Sequence, residues 1–252
     1  MSSFFKGSFN KIDHAFVQSK NDFERFFEAG IDRDAMSVSG SIKFDINLMA
    51  LRNFTENEVN YYKEKYLFVC GSTHPGEEEI LIDSFIDLNK ENKHLVLAPR
   101  HPERFGEIKE LVNKKNLSSI LYTEISSNSD KESDVTIVDV IGRLLDFYEI
   151  ADCVFIGGTL VDHGGQNFLE PAFFNKPIIS GRSTYNFDEI SKKLSDLGLL
   201  KFVSSKDEIS SVVENIEAIS DSLKKDTNLW LNENRGASKF ISKKICKEFN
   251  LV

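Results

Sequence analysis

The sequence lacks any hydrophobic run near the roughly 18 residues a membrane-spanning helix needs, and its first residues lack the basic-then-apolar order of a secretory signal. Membrane insertion and secretion are therefore not expected. Positive charge is also short: 31 Lys and Arg stand against 40 Asp and Glu, a formal net charge of -9, which disfavours non-specific binding to nucleic acid or anionic lipid. Only 3 cysteines occur, with no Cys-x-x-Cys pair, and Cys70 and Cys153 fall inside apolar runs. Both read as buried reduced thiols, which fits a cytoplasmic protein. Proline and glycine are few and 40% of the residues are hydrophobic, as in a folded globular chain. A Gly-Lys-Ser/Thr phosphate loop, a Gly-x-Gly-x-x-Gly fingerprint and a Gly-x-Ser-x-Gly nucleophile elbow are all missing where they would matter.

What is present is alternation. From Tyr66 onward, short apolar runs (Tyr66 to Cys70, Leu95 to Ala98, Ile120 to Thr123, Val135 to Val138, Cys153 to Ile156, Ile178 to Ser180) read as buried strands. Between them lie helical patterns such as Leu81, Phe85 and Leu88, spaced to share one face. Strict alternation implies right-handed crossovers and a doubly wound parallel sheet in an α/β domain. Ser19 with Asp22, Thr55 with Glu58 and Ser205 with Glu208 mark helix starts, because each hydroxyl and acid can satisfy amides of a first turn. A last helix carries Phe240, Ile241, Ile245 and Phe249 on one face and is expected to dock along the domain. The first forty residues form one strand-helix-strand unit (Ala15 to Gln18, a helix ending at Gly30, Met36 to Ser39), too little to bury its own faces. The expected division is a remnant of an N-terminal domain over 1–41, a connection over 42–57 and a C-terminal domain over 58–252.

In an open parallel sheet, ligands bind beyond the carboxyl ends of the strands. Four loops there are unusual. Gly71-Ser72-Thr73-His74-Pro75-Gly76, followed by Glu77, Glu78 and Glu79, serves equally as a well-capped turn or as a ligand contact; the acids suit a helix start but would repel phosphate. Pro99-Arg100-His101-Pro102 could hold a guanidinium ready for an anion. Asp139-Val140-Ile141-Gly142-Arg143 could face a flat ring, or be an ordinary glycine turn. The fourth, Gly157-Gly158-Thr159-Leu160 through Gly164-Gly165-Gln166-Asn167-Phe168-Leu169-Glu170-Pro171, carries four glycines and closes on a helix starting near Asn167. Unpaired amides and the helix dipole are expected to point at whatever sits above the sheet, and Glu170 can accept from ribose hydroxyls. A nucleotide or nucleotide-sugar site is favoured. His74, His101 and His163 share these loops, but no short His or Cys spacing supports a metal site, and no metal or cofactor is expected.

In order and rough spacing, Gly40-Ser41-Ile42-Lys43-Phe44-Asp45, Gly71 to Glu78, Pro99 to Pro102 and Gly157 to Pro171 resemble the transferases that add 3-deoxy-D-manno-octulosonic acid (Kdo) to lipid A in lipopolysaccharide synthesis. The resemblance covers nearly the whole chain. It implies GT-B architecture, with the C-terminal donor domain here preceded by the last strand-helix-strand piece of an N-terminal acceptor domain. It further implies an inverting, metal-independent glycosyltransferase taking Kdo from CMP-Kdo to a lipid A precursor. Pro99, Arg100, Val140, Ile141, Gly142, Asn167 and Glu170 would contact CMP, with Ser72, His74, Gly164 and Gly165 as further candidates, and Lys43 would stabilise the transition state. The full enzyme would work in the cytoplasm, peripherally at the inner face of the inner membrane.

Three departures stand out. The family's Asp-Thr-x-Gly-Glu is Asp139-Val140-Ile141-Gly142-Arg143 here, so a hydroxyl is lost and an acid becomes a base. Gln166 replaces a commonly found His. Residues 1–41 contain no counterpart of the general base, so an acceptor half would have to come from elsewhere. Two alternatives are a non-catalytic nucleotide-binding remnant and another GT-B enzyme using a UDP-sugar.

Overall fold

The computed structural model describes residues 11–46, 54–125, 132–216 and 218–248. Two compact units result: Met1–Asn47 with Leu229–Val252, and Leu48–Asn228.

In the first unit, β1 (Ala15–Val17) and β2 (Met36–Val38) pair in parallel around α1 (Lys20–Ala29). Ser19 accepts from the Asp22 amide at the start of α1, and Gly30 ends the helix at φ 110, as a left-handed C-cap requires. A 3-10 turn, Ile42–Phe44, follows β2. Asp45 then accepts from the amides of Gly236 and Ser238, both at 2.6 Å, and so caps the last helix from far away in sequence. Burial would raise the Asp45 carboxyl, but those two amides outweigh it and hold the group below its ordinary value. Phe44 meets Trp230 edge-on, with ring centres 5.3 Å apart. These contacts explain why the last helix groups with the first residues. Phe240 and Ile245 are exposed there, and Phe249 lies outside the described residues. The expected connection over 42–57 falls partly outside them too, since 47–53 are not described.

The second unit holds a seven-stranded, all-parallel sheet. Its strands are β3 (Tyr66–Thr73), β4 (Lys93–Pro99), β5 (Ser119–Leu121), β6 (Val135–Ile137), β7 (Cys153–Ile156), β8 (Ile178–Ser180) and β9 (Leu200–Phe202). Their spatial order is β5-β6-β4-β3-β7-β8-β9. The order reverses beside β3, which places a topological switch point among the loops after β3, β4 and β7. The helices are α2 (Glu56–Tyr62), α3 (Glu77–Asp87), α4 (Phe105–Lys114), α5 (Leu144–Ile150), α6 (Leu169–Phe173), α7 (Asp188–Leu197) and α8 (Lys206–Glu214). Two more, α9 (Asp221–Glu233) and α10 (Ala237–Glu248), complete the described chain.

Side chains alternate across the sheet. Phe68, Cys70, Leu95, Leu97, Ile137 and Phe155 meet Leu81, Ile82 and Phe85 of α3, Ile108 and Val112 of α4, and Ile209 and Val213 of α8. Leu67 and Val69 point the opposite way, toward the side where Tyr148 of α5 reaches Gly71. Helices therefore cover both faces, and each large apolar side chain fully buried this way contributes about 1.5–3 kcal/mol. The three expected caps are present: Thr55 and Glu58 form a reciprocal capping box, and Ser205 accepts from Glu208. β9 was not anticipated.

Candidate functional site

The loops after β3 and β7 are locked together by one side chain. Glu77, first residue of α3, is fully buried. Its Oε1 accepts from the amides of Thr159 (2.9 Å) and Leu160 (3.0 Å), and its Oε2 from those of Gly158 (2.7 Å) and His74 (2.9 Å). The unpaired amides expected of this loop are not found at its start. Gly158, Thr159 and Leu160 spend theirs on Glu77, while Gly157 donates to the Gly71 carbonyl. Later in the loop, Gly164 donates to Ser183 Oγ at 3.1 Å and Gly165 to the Gly158 carbonyl at 2.9 Å.

The glycines answer to close packing. A Cβ on Gly157 would lie 2.2 Å from the Ser72 carbonyl oxygen, and one on Gly71 would lie 1.9 Å from the Tyr148 hydroxyl. Ser72 itself is left-handed at φ 55, at a register shift in β3 against β4.

Above this floor, the His74 and His163 rings stack with centres 4.3 Å apart and planes 22° from parallel. Gln166 Nε2 lies 3.2 Å from His74 Nε2, so the amide donates to an unprotonated ring nitrogen. Desolvation first, then the charge of His163, hold His74 below its ordinary pKa; Glu78 opposes them, and His101 and Arg100 add smaller lowering contributions. Glu78 is spent on Thr73 Oγ1 (2.9 Å) and Arg104 (2.8 Å). Pro99 is buried at the end of β4, and the Arg100 amide donates to the Thr73 carbonyl at 3.0 Å. The Arg100 side chain is exposed and, among the described residues, makes no ion pair.

Asn167 and Glu170 lie side by side. Asn167 Oδ1 accepts from the Leu169 amide at 3.1 Å, at the first residue of the short α6, and its Nδ2 donates to Glu170 Oε1 at 3.0 Å. Burial raises the Glu170 carboxyl above its ordinary pKa, with the Asn167 bond opposing.

After β6, Asp139 holds the Thr123 amide and hydroxyl, at 3.1 and 2.6 Å, which leaves Val140 to Gly142 projecting; Ile141 is 81% exposed. Arg143 turns inward instead and is 7% exposed. It pairs with Asp146 at 3.0 Å and Glu58 at 3.7 Å, between the rings of Phe54 and Tyr122. Tyr122 also donates a short hydrogen bond to Glu58. Arg143 is thus matched by two carboxylates and belongs to the scaffold.

Lys43 lies in the first unit, on the 3-10 turn; it is exposed, and desolvation lowers its ammonium from the ordinary value. Among the described residues no group of three or more His, Cys, Asp or Glu is placed to hold a metal ion. Nor, among the described residues, is any helix long and apolar enough to cross a membrane. Sequence reasoning missed Glu77, Tyr148 and the bonds of Ser183 and Asn186 that hold the Gly164 region.

Residues 1–46 match the family profile of 3-deoxy-D-manno-octulosonic-acid transferase (kdotransferase). The 3-deoxy-D-manno-octulosonic acid transferase of Haemophilus influenzae is 34% identical over 224 residues, 85% of this chain and 52% of that protein. The chain is a relative of the Kdo transferases. A bifunctional glycosyltransferase/methyltransferase of Fusobacterium nucleatum is 33% identical over 251 residues, 98% of this chain and 38% of that protein. The chain spans about half the length, or less, of these curated relatives. Among solved structures, the C-terminal CMP-Kdo binding domain of WaaA from Acinetobacter baumannii is 26% identical with a TM-score of 0.54, covering 62% of this chain and 82% of that one. The second unit has the fold of a GT-B C-terminal domain, and the first strand-helix-strand lies within the residues that match the kdotransferase profile.

Proposed function

We propose that this chain is the donor-binding half of a glycosyltransferase that moves Kdo from CMP-Kdo to a lipid A precursor. One observation carries the proposal. Arg100, the stacked His74 and His163, and the Asn167–Glu170 pair project from loops after three adjacent strands, β4, β3 and β7. They do so in a domain similar to one that binds CMP-Kdo in another protein.

In this reading Glu170 accepts from the ribose hydroxyls, with Asn167 holding the carboxylate in place. Pro99 stiffens the segment that presents Arg100 to the phosphate, and Val140, Ile141 and Gly142 face the cytosine. Ser72, His74, Gly164 and Gly165 line the same loops. The acceptor hydroxyl oxygen attacks the anomeric carbon of Kdo opposite the phosphate, the bond from that carbon to the phosphate oxygen breaks, and CMP leaves with the electron pair. That inverts the configuration. The hydroxyl proton goes to a base supplied by an acceptor domain, and Arg100 offsets the charge on the departing phosphate. The proposal routes no step through a metal, and it places the reaction at the cytoplasmic face of the inner membrane.

Titration calorimetry of the folded chain with CMP, UMP and UDP, each with and without EDTA, tests the reading. Selective CMP binding that survives EDTA is expected. Preference for UDP would point to a UDP-sugar enzyme, and a folded chain that binds none of the three would sink the donor assignment.

A further inference from the structure

The His74 imidazole is held from several directions. The residue's amide donates to Glu77 Oε2 at 2.9 Å, and the Glu77 amide donates back to its carbonyl at 3.0 Å. His163 stacks on one face of the ring, with centres 4.3 Å apart. Gly158, at φ 70, leaves room at the ring's edge: a Cβ there would lie 3.2 Å from His74 Cδ2 and 3.3 Å from Nε2. The Gly165 amide donates to the Gly158 carbonyl at 2.9 Å, which brings the next residue, Gln166, to the same edge. There the Gln166 Nε2 lies 3.2 Å from His74 Nε2. An amide NH2 only donates, so the ring nitrogen accepts and bears no proton. The proton of a neutral imidazole then sits on the other nitrogen, since the partner of one nitrogen sets the state of both. Nδ1 is therefore the N–H, and among the described residues it makes no hydrogen bond. Desolvation and the charge of His163 lower the ring's pKa, Glu78 opposes them, and His101 and Arg100 add smaller lowering contributions. At neutral pH the ring is thus uncharged, as its bond to Gln166 requires.

We infer that Gln166 is a positioning residue: by donating to His74 Nε2 it fixes the ring as the Nδ1–H tautomer and leaves one oriented, neutral N–H at the carboxyl end of the sheet, suited to an acceptor oxygen of a bound nucleotide. The inference rests on the nucleotide-donor reading above, which counts His74 among the contacts. A donor already oriented costs a ligand no reorganisation, and the stack on His163 restrains the ring from turning to exchange its nitrogens.

Long-range proton–nitrogen NMR reports which imidazole nitrogen is protonated, and the chain has only 5 histidines to assign. In the wild type at neutral pH, His74 should show a protonated Nδ1 and a bare Nε2. Gln166→Met keeps the length of the side chain and drops the donor, so its spectrum should move to a mixture of tautomers. Titration calorimetry on the same samples should show the variant binding CMP roughly fivefold more weakly, the scale of one neutral hydrogen bond. A wild type with the proton on Nε2 overturns the inference, because the amide would then accept through its oxygen. So does a variant that redistributes the tautomers while CMP affinity stays level, since His74 would then donate to no nucleotide. Should Gln166→Met fail to fold, the wild-type spectrum still decides. A folded wild type that binds no CMP sinks the donor reading, whereas CMP binding with the proton on Nε2 sinks only the role of Gln166.

Discussion

The two ends of the seven-stranded sheet treat buried polar groups differently. At the amino ends of β4 and β6, His94 is 1% exposed and lies 3.0 Å through Nδ1 from the Ser133 carbonyl and 2.8 Å through Nε2 from Thr136 Oγ1. A carbonyl only accepts, so Nδ1 carries the proton and Nε2 accepts from the threonine, whose oxygen takes a bond from Tyr62 at 3.2 Å. Every polar atom of the ring is used. At the carboxyl ends Glu77 closes an equally complete set with four amides, yet Arg100 and Ile141 at the same end of the sheet stay exposed. A polar cluster that satisfies itself is scaffold; the capacity for a ligand lies in neighbouring groups whose donors, charges and apolar faces are unspent.

Arg143 is the hardest test of that contrast, because it sits at the ligand end and behaves as scaffold. Reversing its charge, Arg143→Glu, would place a third carboxylate beside Glu58 and Asp146 and should cost about 3–5 kcal/mol of folding stability in urea titrations. A variant as stable as the wild type would remove Arg143 from the scaffold. The amino end yields the next largest effect. Burial lowers His94 from 6.5 to about 3, so the native state holds a neutral ring that the unfolded chain protonates more readily. Its contribution is complete above pH 6.5 and is lost as pH falls toward 3, by about 1.4 kcal/mol per pH unit. Melts of the wild type and His94→Gln over that range should differ in slope; parallel curves would show that the ring is not held neutral.

Most of the sheet was legible because a strand buried on both faces is a continuous apolar run, as in Cys153–Ile156. β9 escaped because it is an edge strand of three residues with the exposed Lys201 at its centre. The four loops at the strand ends were legible from glycine and proline, and Glu170 from its place in the first turn of a helix. Glu77 was not, since a carboxylate at a helix start reads as a partner of the helix dipole. The amides it binds at 158–160 come from a loop about eighty residues away, which only the fold brings near. Arg143 read as a damaged motif for the same reason: its partner Glu58 lies far upstream, so the compensation has no local signature. The Asp45 cap on α10 is non-local as well, which hid the grouping of the last helix with the first residues.

At the ligand end the contrast sharpens on Glu170. Replacing it with Ala should weaken CMP binding by about 1.5–3 kcal/mol, the cost of losing hydrogen bonds to a charged acceptor. Burial raises its pKa and the Asn167 bond opposes that rise. CMP affinity should therefore fall as pH drops through the raised value, where the carboxylate gains a proton and loses acceptor capacity. Asn167→Ala should move that fall to higher pH. A calorimetric pH series in which affinity stays level through the acid range would separate Glu170 from the ribose.

The smallest effect belongs to Ile141, which tests whether unspent apolar surface marks a ligand as well as unspent charge does. With 81% of the side chain exposed, Ile141→Ala removes little from the folded protein and should shift stability by no more than about 0.5 kcal/mol. A pyrimidine ring lying over it would cover part of that surface, and about 1 kcal/mol of CMP affinity should then vanish with the lost methyl and methylene groups. The contact is with the face of the ring, so UMP should lose as much as CMP and the preference between them should persist. A loss confined to CMP would instead show that the loop reads the edge of the base through its backbone, and unchanged affinity for both would place the base away from Ile141.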